Sequence, residues 1–265
     1  MEQIEEARTE AKRLAELYAN DPRQKSFNAL VLGELGTGKT FIARTARKPV
    51  HIDSFDPGGT KSVRNEIAKH EIIVDSSYES EDCLSPFAYQ QWKTNFERRR
   101  KAGYFSQLGT YMLDSSTLWA ETIMNRILQK AGIPGTPPRF TKDYTPQKIE
   151  ILNMLRWCLD LPCDFILTGH LEQFEDAVDS TIRYRYMTTG KGAIIIPTLF
   201  DEVFIMTPKE TSDGVKYRLL TKNTGTYTAR SRLAAGGLLE TYEEPNIKAI
   251  LAKAGRNTDD KPLLT

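Results

Sequence analysis

Apolar residues change their period several times along the chain, and the changes divide it into elements. Over residues 2–19, Ile4, Ala7, Ala11, Leu14 and Tyr18 recur at three- and four-residue spacing among charges. That spacing predicts one exposed amphipathic helix with a narrow apolar stripe, ending near Asn20-Asp21-Pro22. Such a stripe is expected to cap a sheet, the alternative being a neighbouring subunit. From residue 27 onward short apolar runs alternate with helix-period segments. The runs at 27–32, 50–53, 71–74, 110–113, 164–168, 192–196, 202–207 and 216–220 predict strands. The segments at 84–102, 116–131, 146–160 and 246–254 predict helices, the last ending at Gly255 as a C-cap. Alternation of this kind predicts an α/β fold with a mainly parallel, doubly wound sheet. Two stretches predict long loops: 132–144, broken by Pro and Gly, and 171–191, between two strand patterns. Residues 256–265 predict a mobile tail. The chain is expected to divide into a helical extension (1–25), an α/β core (26–235) and a C-terminal helix and tail (236–265).

Composition narrows the classes without choosing among them. The 265 residues suffice for one large α/β domain with a sizeable core. Lys and Arg number 36 against 35 Asp and Glu, a net charge of +1, so nucleic-acid binding would need a local patch. Cys83, Cys158 and Cys163 are odd in number and lack metal-ligand spacing. They point to reduced thiols and a cytoplasmic setting, with Cys158 and Cys163 as core residues. No apolar run approaches transmembrane length, so no membrane partner is expected. The acidic start, Met1 to Glu6, is wrong for a signal peptide.

The densest chemical signal is Gly33-Glu34-Leu35-Gly36-Thr37-Gly38-Lys39-Thr40, a match to G-x-x-x-x-G-K-[ST] between a strand pattern and a helix pattern beginning at Phe41. Glycines let the loop's N–H groups converge on phosphate oxygens, and a helix start adds positive potential. Lys39 is then expected at the β- and γ-phosphates of ATP, and the Thr40 hydroxyl on Mg²⁺. A P-loop needs a second acidic group for its metal, and Asp114, closing the uncharged strand Thr110-Tyr111-Met112-Leu113, is the candidate. His170, at the polar tip of Asp164-Phe165-Ile166-Leu167-Thr168-Gly169, is placed to bond the γ-phosphate; His51 and His70 read as structural. Either Asp53 or Asp56, after the strand at residue 50, is expected to orient the attacking water, with Asp53 as a turn cap being the alternative. Glu34 is a third candidate, its side chain expected to point away from the phosphates.

The order GELGTGKT, HIDSFDPGG, TYMLDSS, DFILTGH resembles the RecA-like branch of P-loop ATPases. More closely it is similar to the phage-encoded AAA-type nucleotide-binding proteins that include the Sak-type single-strand-annealing recombinases. The run 193–203 and the closing strand pair 217–222 and 227–232 also resemble that family, so the likeness spans about 27–232. It implies a strand order in which the His170 strand lies between the P-loop strand and the Asp114 strand, aiming His170 at the γ-phosphate. It also implies ATP at subunit interfaces of a ring or filament, with a basic residue donated in trans, for which Lys222, Arg230 and Arg232 are candidates. The Glu usual after the second strand is absent, with Phe55-Asp56 near its place. Single-stranded DNA would fall on the two long loops. In the second, Arg183, Arg185 and Lys191 can meet phosphates and Tyr184 and Tyr186 can stack on bases. A solvated, partly β hairpin is the alternative there, and Glu172, Glu175, Asp176 and Asp179 nearby oppose a simple electrostatic attraction. The run Arg98-Arg99-Arg100-Lys101 reads as the solvated end of a helix.

Together these features predict an ATP-hydrolysing phage DNA-processing protein, acting in single-strand binding, annealing or recombination. The alternatives are a helicase or packaging motor of the same fold, although no separate helicase or nuclease domain is visible, and a nucleotide-binding regulatory or assembly module with little turnover.

Overall fold

In the computed structural model, residues 2–21, 26–176, 180–234 and 237–264 are described. Their strands are β1 (Asn28–Gly33), β2 (Val50–Ser54), β3 (Ile72–Asp75), β4 (Thr110–Asp114), β5 (Asp164–Glu175), β6 (Ile182–Tyr186), β7 (Glu202–Thr211), β8 (Gly214–Leu220), β9 (Arg230–Ser231) and β10 (Tyr242–Glu243). Their helices are α1 (Glu2–Asn20), α2 (Arg64–Ala68), α3 (Ala88–Lys101), α4 (Ser116–Lys130), α5 (Tyr144–Leu159), α6 (Gly192–Leu199) and α7 (Ile247–Lys253). One sheet holds all the strands in the order β10-β8-β7-β1-β5-β4-β2-β3, with β6 paired to β5 and β9 to β7. From β7 to β3 the pairings along that path are parallel; β8, β9 and β10 join antiparallel.

The apolar runs of the central strands are continuous because both faces are covered. Leu30 and Leu32 of β1 join the cluster beneath α3, α4, α5 and α6, where Trp92, Phe96, Phe105, Tyr111 and Trp119 pack ring against ring. Ala29 and Val31 face the opposite cluster, closed by Ile42, Ala43, Val63 and the α7 residues Ile247, Ile250 and Leu251. This is the doubly wound α/β arrangement expected, with antiparallel C-terminal strands and an N-terminal helix. The His170 strand, β5, does lie between β1 and β4.

Five local expectations are corrected. The run at 192–196 is helical, as part of α6, not a strand. A short apolar run has no diagnostic period, and β1 already has β5 and β7 on its two edges. The stretch 171–191 is largely a hairpin: β5 continues to Glu175 and β6 returns against it, from Glu175 opposite Ile182 to Leu171 opposite Tyr186. Residues 217–222 and 227–232 do not pair with each other; β9 pairs with Glu202 and Val203 of β7, and β8 takes β10 as its outer neighbour. Helix α1 caps no sheet, since every residue from Gln3 to Asn20 is exposed, and Pro22 lies outside the described residues. The tail is anchored. Lys48 N donates to Asp260 Oδ1 at 2.6 Å, Lys261 N to Lys48 O at 2.8 Å, and Lys261 Nζ to Leu108 O at 2.6 Å.

At the amino end of β7, Glu202 Oε1 accepts from the backbone N–H groups of Arg232 and Leu233, while Oε2 is buried without a hydrogen-bond partner among the described residues. Burial raises the Glu202 carboxyl from an ordinary 4.5 to about 7, against the pull of the Ser231 hydroxyl and those two amides. Between these values the folded chain holds a proton that the unfolded chain releases, so stability falls as pH rises through that window. Glu202→Gln, neutral at every pH, is expected to flatten that decline in thermal melts recorded across the window.

Candidate functional site

The carboxyl ends of β1, β2, β4 and β5 share one edge, and the P-loop leaves β1 there. Gly33 must be glycine: a Cβ would sit 2.5 Å from Thr37 Oγ1 and 3.0 Å from Met206 Cβ. Gly38 (φ 87°) adopts the left-handed conformation that turns the loop toward Lys39. The Thr37 hydroxyl closes the loop by donating to Glu34 O at 2.8 Å. Lys39 is buried, and its Nζ donates to Gly33 O at 3.1 Å and Glu34 O at 2.8 Å. Burial lowers its pKa, opposed by the charges of Asp114 and Asp56. Glu34, Leu35 and Gly36 form the exposed tip. After Lys39 the chain makes a six-residue 3₁₀ turn, Thr40–Thr45, rather than the longer helix expected from the pattern at Phe41.

Asp114 closes β4 and is fully buried beside this turn. Thr40 Oγ1 donates to Asp114 Oδ2 at 2.7 Å, and the Thr168 hydroxyl of β5 donates to Oδ1. Burial raises the Asp114 carboxyl, with the two hydroxyls and Lys39 pulling it back and Asp56 pushing it further up. Ser54 lies in register with Asp114, and the turn beyond it carries Asp56, whose Oδ1 accepts from Ser115 Oγ at 2.6 Å. Gly59 marks where these groups meet: a Cβ there would lie 3.3 Å from Asp56 Cβ, 3.8 Å from Asp114 Oδ2 and 3.9 Å from Thr40 Oγ1. His170 stands opposite Gly33 in the β1–β5 register, with its backbone N and Nδ1 at 3.3 and 3.2 Å from Thr117 Oγ1. Burial lowers the His170 pKa, Lys39 adding to the effect and Asp56 opposing it. Lys39, Thr40, Asp56, Asp114 and His170 therefore gather on one edge.

These residues fit a magnesium nucleotide. Among the described residues the buried Lys39 ammonium has only loop carbonyls as hydrogen-bond partners, a role that phosphate oxygens can take over. Thr40 and Asp114 present a hydroxyl and a carboxylate 2.7 Å apart. Among the described residues no group of three or more His, Cys, Asp and Glu could hold a metal alone. Mg²⁺ asks for no such group, because it takes one or two protein oxygens together with substrate phosphates and water.

The other predicted residues are placed elsewhere. Asp53 is not at this site, because strand alternation points it opposite to Ser54, into the aromatic core. Its Oδ1 lies 2.9 Å from His51 Nε2 and from Arg99 Nη1, and its Oδ2 accepts from Tyr111 OH at 2.7 Å and Trp92 Nε1 at 2.9 Å. Arg99, expected on a solvated helix end, thus bridges Asp53 and Asp75. Arg230 donates to Pro197 O at 3.0 Å and Phe200 O at 2.6 Å, and Arg232 pairs with Asp201 at 2.7 Å, both beside the amino end of β7 and engaged within their own subunit. Lys222 is exposed. On the hairpin, Tyr186 is buried and donates to Ser116 Oγ at 2.7 Å, so it is no stacking platform. Tyr184 stacks on Tyr227 with centroids 4.9 Å apart. Arg185 pairs with Glu172 at 2.7 Å and Arg183 with Asp176 at 3.2 Å; Lys191 is exposed, and Asp179 lies outside the described residues. Sequence reasoning missed Thr117, Thr168 and Glu79, whose carboxylate accepts from Ser54 Oγ at 2.7 Å and Gly58 N at 2.9 Å. No motif or spacing announces that contact. Arg99→Ala would leave Asp53 buried with its guanidinium partner removed, and is expected to cost about 3–5 kcal/mol in chemical denaturation.

A solved structure of a KaiC-like protein from the hyperthermophilic archaeon Pyrococcus horikoshii OT3 is similar at 14% identity and a TM-score of 0.43, over 78% of this chain and 82% of that chain. No curated protein matches the sequence. The family model described as AAA domain matches residues 25–233, a span that holds the P-loop, Asp56, Asp114 and His170. The chain belongs to the AAA domain family.

Proposed function

We propose that this chain is a Mg²⁺-dependent ATPase that works on single-stranded DNA as a homo-oligomer, in annealing, recombination or replication of a phage. The observation that carries the ATPase part is the contact of Thr40 with the buried Asp114 beside the buried Lys39. Mg²⁺, when bound, would neutralise charge on the phosphate oxygens. Lys39 would release its two carbonyl partners and donate to the β/γ oxygens. Asp56 would accept a hydrogen bond from the attacking water, and His170, held by Thr117, would donate to the γ-phosphate.

The DNA part is supported by a groove of about 800 Å³ beside this edge, lined in part by Thr117, Phe140, Tyr144, Lys148, Met187 and Lys191. Phe140 is 88% exposed, and Lys148 and Lys191 line the same groove together with Glu121 and Glu172, so a ring for stacking and ammonium groups for phosphates are both present. The expected sites Arg183, Arg185 and Tyr184 stand on the neighbouring hairpin. Of the three candidates for donation in trans we favour Lys222, which is exposed. A second reading, a nucleotide-binding assembly module with little turnover, is favoured by the burial of Phe55 against Tyr78 where the expected Glu is absent.

Lys39→Ala is expected to abolish turnover and weaken ATP binding, because it removes the ammonium group that the phosphate loop holds. Asp114→Asn is expected to keep ATP binding while Mg²⁺-dependent turnover falls by about 10²-fold or more. The apparent affinity for Mg²⁺ should also weaken on the acid side at a higher pH than an ordinary carboxylate would dictate, since burial raises the metal-free Asp114 carboxyl and its proton competes with the cation. Steady-state kinetics over pH and Mg²⁺ series, with titration of a fluorescent ATP analogue, measure all three.

Single-stranded DNA is expected to stimulate wild-type turnover, with a salt-dependent affinity that Lys148→Ala and Lys191→Ala together reduce. Specific activity is expected to rise with protein concentration if neighbours complete the site. A constant specific activity from a monomer in sedimentation would remove the trans residue, and unaltered DNA binding would move the DNA site elsewhere.

A further inference from the structure

The turn after β2 carries Asp56, and its internal constraints are few. Pro57 precedes Gly58, which is left-handed at φ 71°, and Gly59 N donates to Asp56 O at 2.9 Å. Glycines at 58 and 59 leave such a turn free to adopt other shapes. One side chain from elsewhere spans it. Glu79, in the segment after β3, accepts from Ser54 Oγ with Oε1 at 2.7 Å and from Gly58 N with Oε2 at 2.9 Å. The two contacts lie before and after Asp56, so a single carboxylate fixes both the stem and the tip of the turn. On the far side Ser115 Oγ donates to Asp56 Oδ1 at 2.6 Å, directly after Asp114. Asp56 is thereby held between Glu79's clamp and the end of β4, facing the Thr40–Asp114 pair across Gly59. The neighbourhood of Glu79 is itself packed: Tyr78 is buried against Phe55 with centroids 5.3 Å apart, which sets the reach of the next residue.

We propose that Glu79 is a positioning residue for the attacking water, acting through the Ser54–Gly59 turn that it clamps and not by touching the water. The inference rests on the ATPase reading above. Its chemistry makes a sharp distinction between two substitutions. Glu79→Ala removes both acceptors. Glu79→Gln keeps the clamp, since the amide oxygen accepts from Gly58 N while the amide NH₂ donates to Ser54 Oγ, a hydroxyl being able to accept as well as donate. A glutamine cannot take a proton from water.

The experiment compares wild type, Glu79→Ala and Glu79→Gln by steady-state ATP hydrolysis, titration of a fluorescent ATP analogue, and hydrogen exchange of the peptide that contains Gly58. In Glu79→Ala, kcat is expected to fall about 10²-fold, the scale of an ångström-sized misplacement, with KM and analogue affinity within about two-fold of wild type. The Gly58 peptide should exchange faster in that variant without nucleotide. Glu79→Gln should restore most of kcat and the slow exchange. A Glu79→Gln protein as inactive as Glu79→Ala would make Glu79 the base itself and overturn the proposal. So would wild-type kcat in Glu79→Ala, unchanged Gly58 exchange, or a loss of analogue affinity parallel to the loss of kcat. A wild type that binds the analogue and shows no turnover overturns the ATPase reading and this proposal with it. Brisk wild-type turnover that ignores Glu79 overturns this proposal alone.

Discussion

Parallel pairing of β5 between β1 and β4 is the constraint on which the site depends. In a parallel sheet every strand delivers its carboxyl end to the same edge, and the register decides which residues stand abreast. Here Gly33 stands beside His170 and Ser54 beside Asp114. With those two pairs aligned, the loop after β1, the turn after β2 and the starts of the segments after β4 and β5 open into one space. A one-residue slip of β5 would turn Thr168 away from Asp114 and leave that buried carboxylate without its inner hydroxyl. Burial on both faces resists such a slip, because it would move Phe165 and Leu167 out of the aromatic cluster.

Two buried carboxylates on neighbouring strands show how surroundings separate structure from chemistry. Asp53 is enclosed by a histidine, a guanidinium, a phenol and an indole, and its pKa is lowered: burial alone would raise it, but His51 and then Arg99 more than offset that. Among the described residues the Asp114 carboxylate has only two hydroxyls as hydrogen-bond partners, and burial raises its pKa. A carboxylate whose partners are saturated holds elements together. One held only by hydroxyls retains affinity for a further cation. The same distinction applies to Arg99, whose guanidinium is committed to Asp53 and Asp75 within the fold.

The features legible in the sequence were those whose cause is local. The P-loop announces itself because glycine, lysine and threonine are needed at fixed spacing, and the core strands because buried parallel strands are apolar throughout. Asp114 was legible once an acidic strand end was sought beside the loop. What failed depended on partners far away. Whether 192–196 is strand or helix turns on the edges of β1, which β5 and β7 already occupy. The hairpin at 171–186 depends on pairing between two half-exposed segments. Asp53 and Asp56 look alike in sequence, and only strand direction and the position of Trp92, Arg99 and Tyr111 send one to the core and the other to the edge. Glu79 meets the turn after β2 across 21 positions and carries no local signature. The tail was misread because its polar residues are used as clasps, Asp260 and Lys261 on the segment before β2.

The strand order also has a consequence for the time course of folding. Both neighbours of β1 come late: its first contact with β5, Phe27 N to Asp164, closes a separation of 137 residues, and β7 follows only from Glu202. The earlier strands, β2, β3 and β4, can pair among themselves as a ribosome extends the chain, but β1 must wait unpaired. During synthesis the strand that leads into the phosphate loop thus lacks both of its neighbours until β5 and then β7 emerge. The phosphate loop is written near the beginning of the chain and becomes a structure near its end.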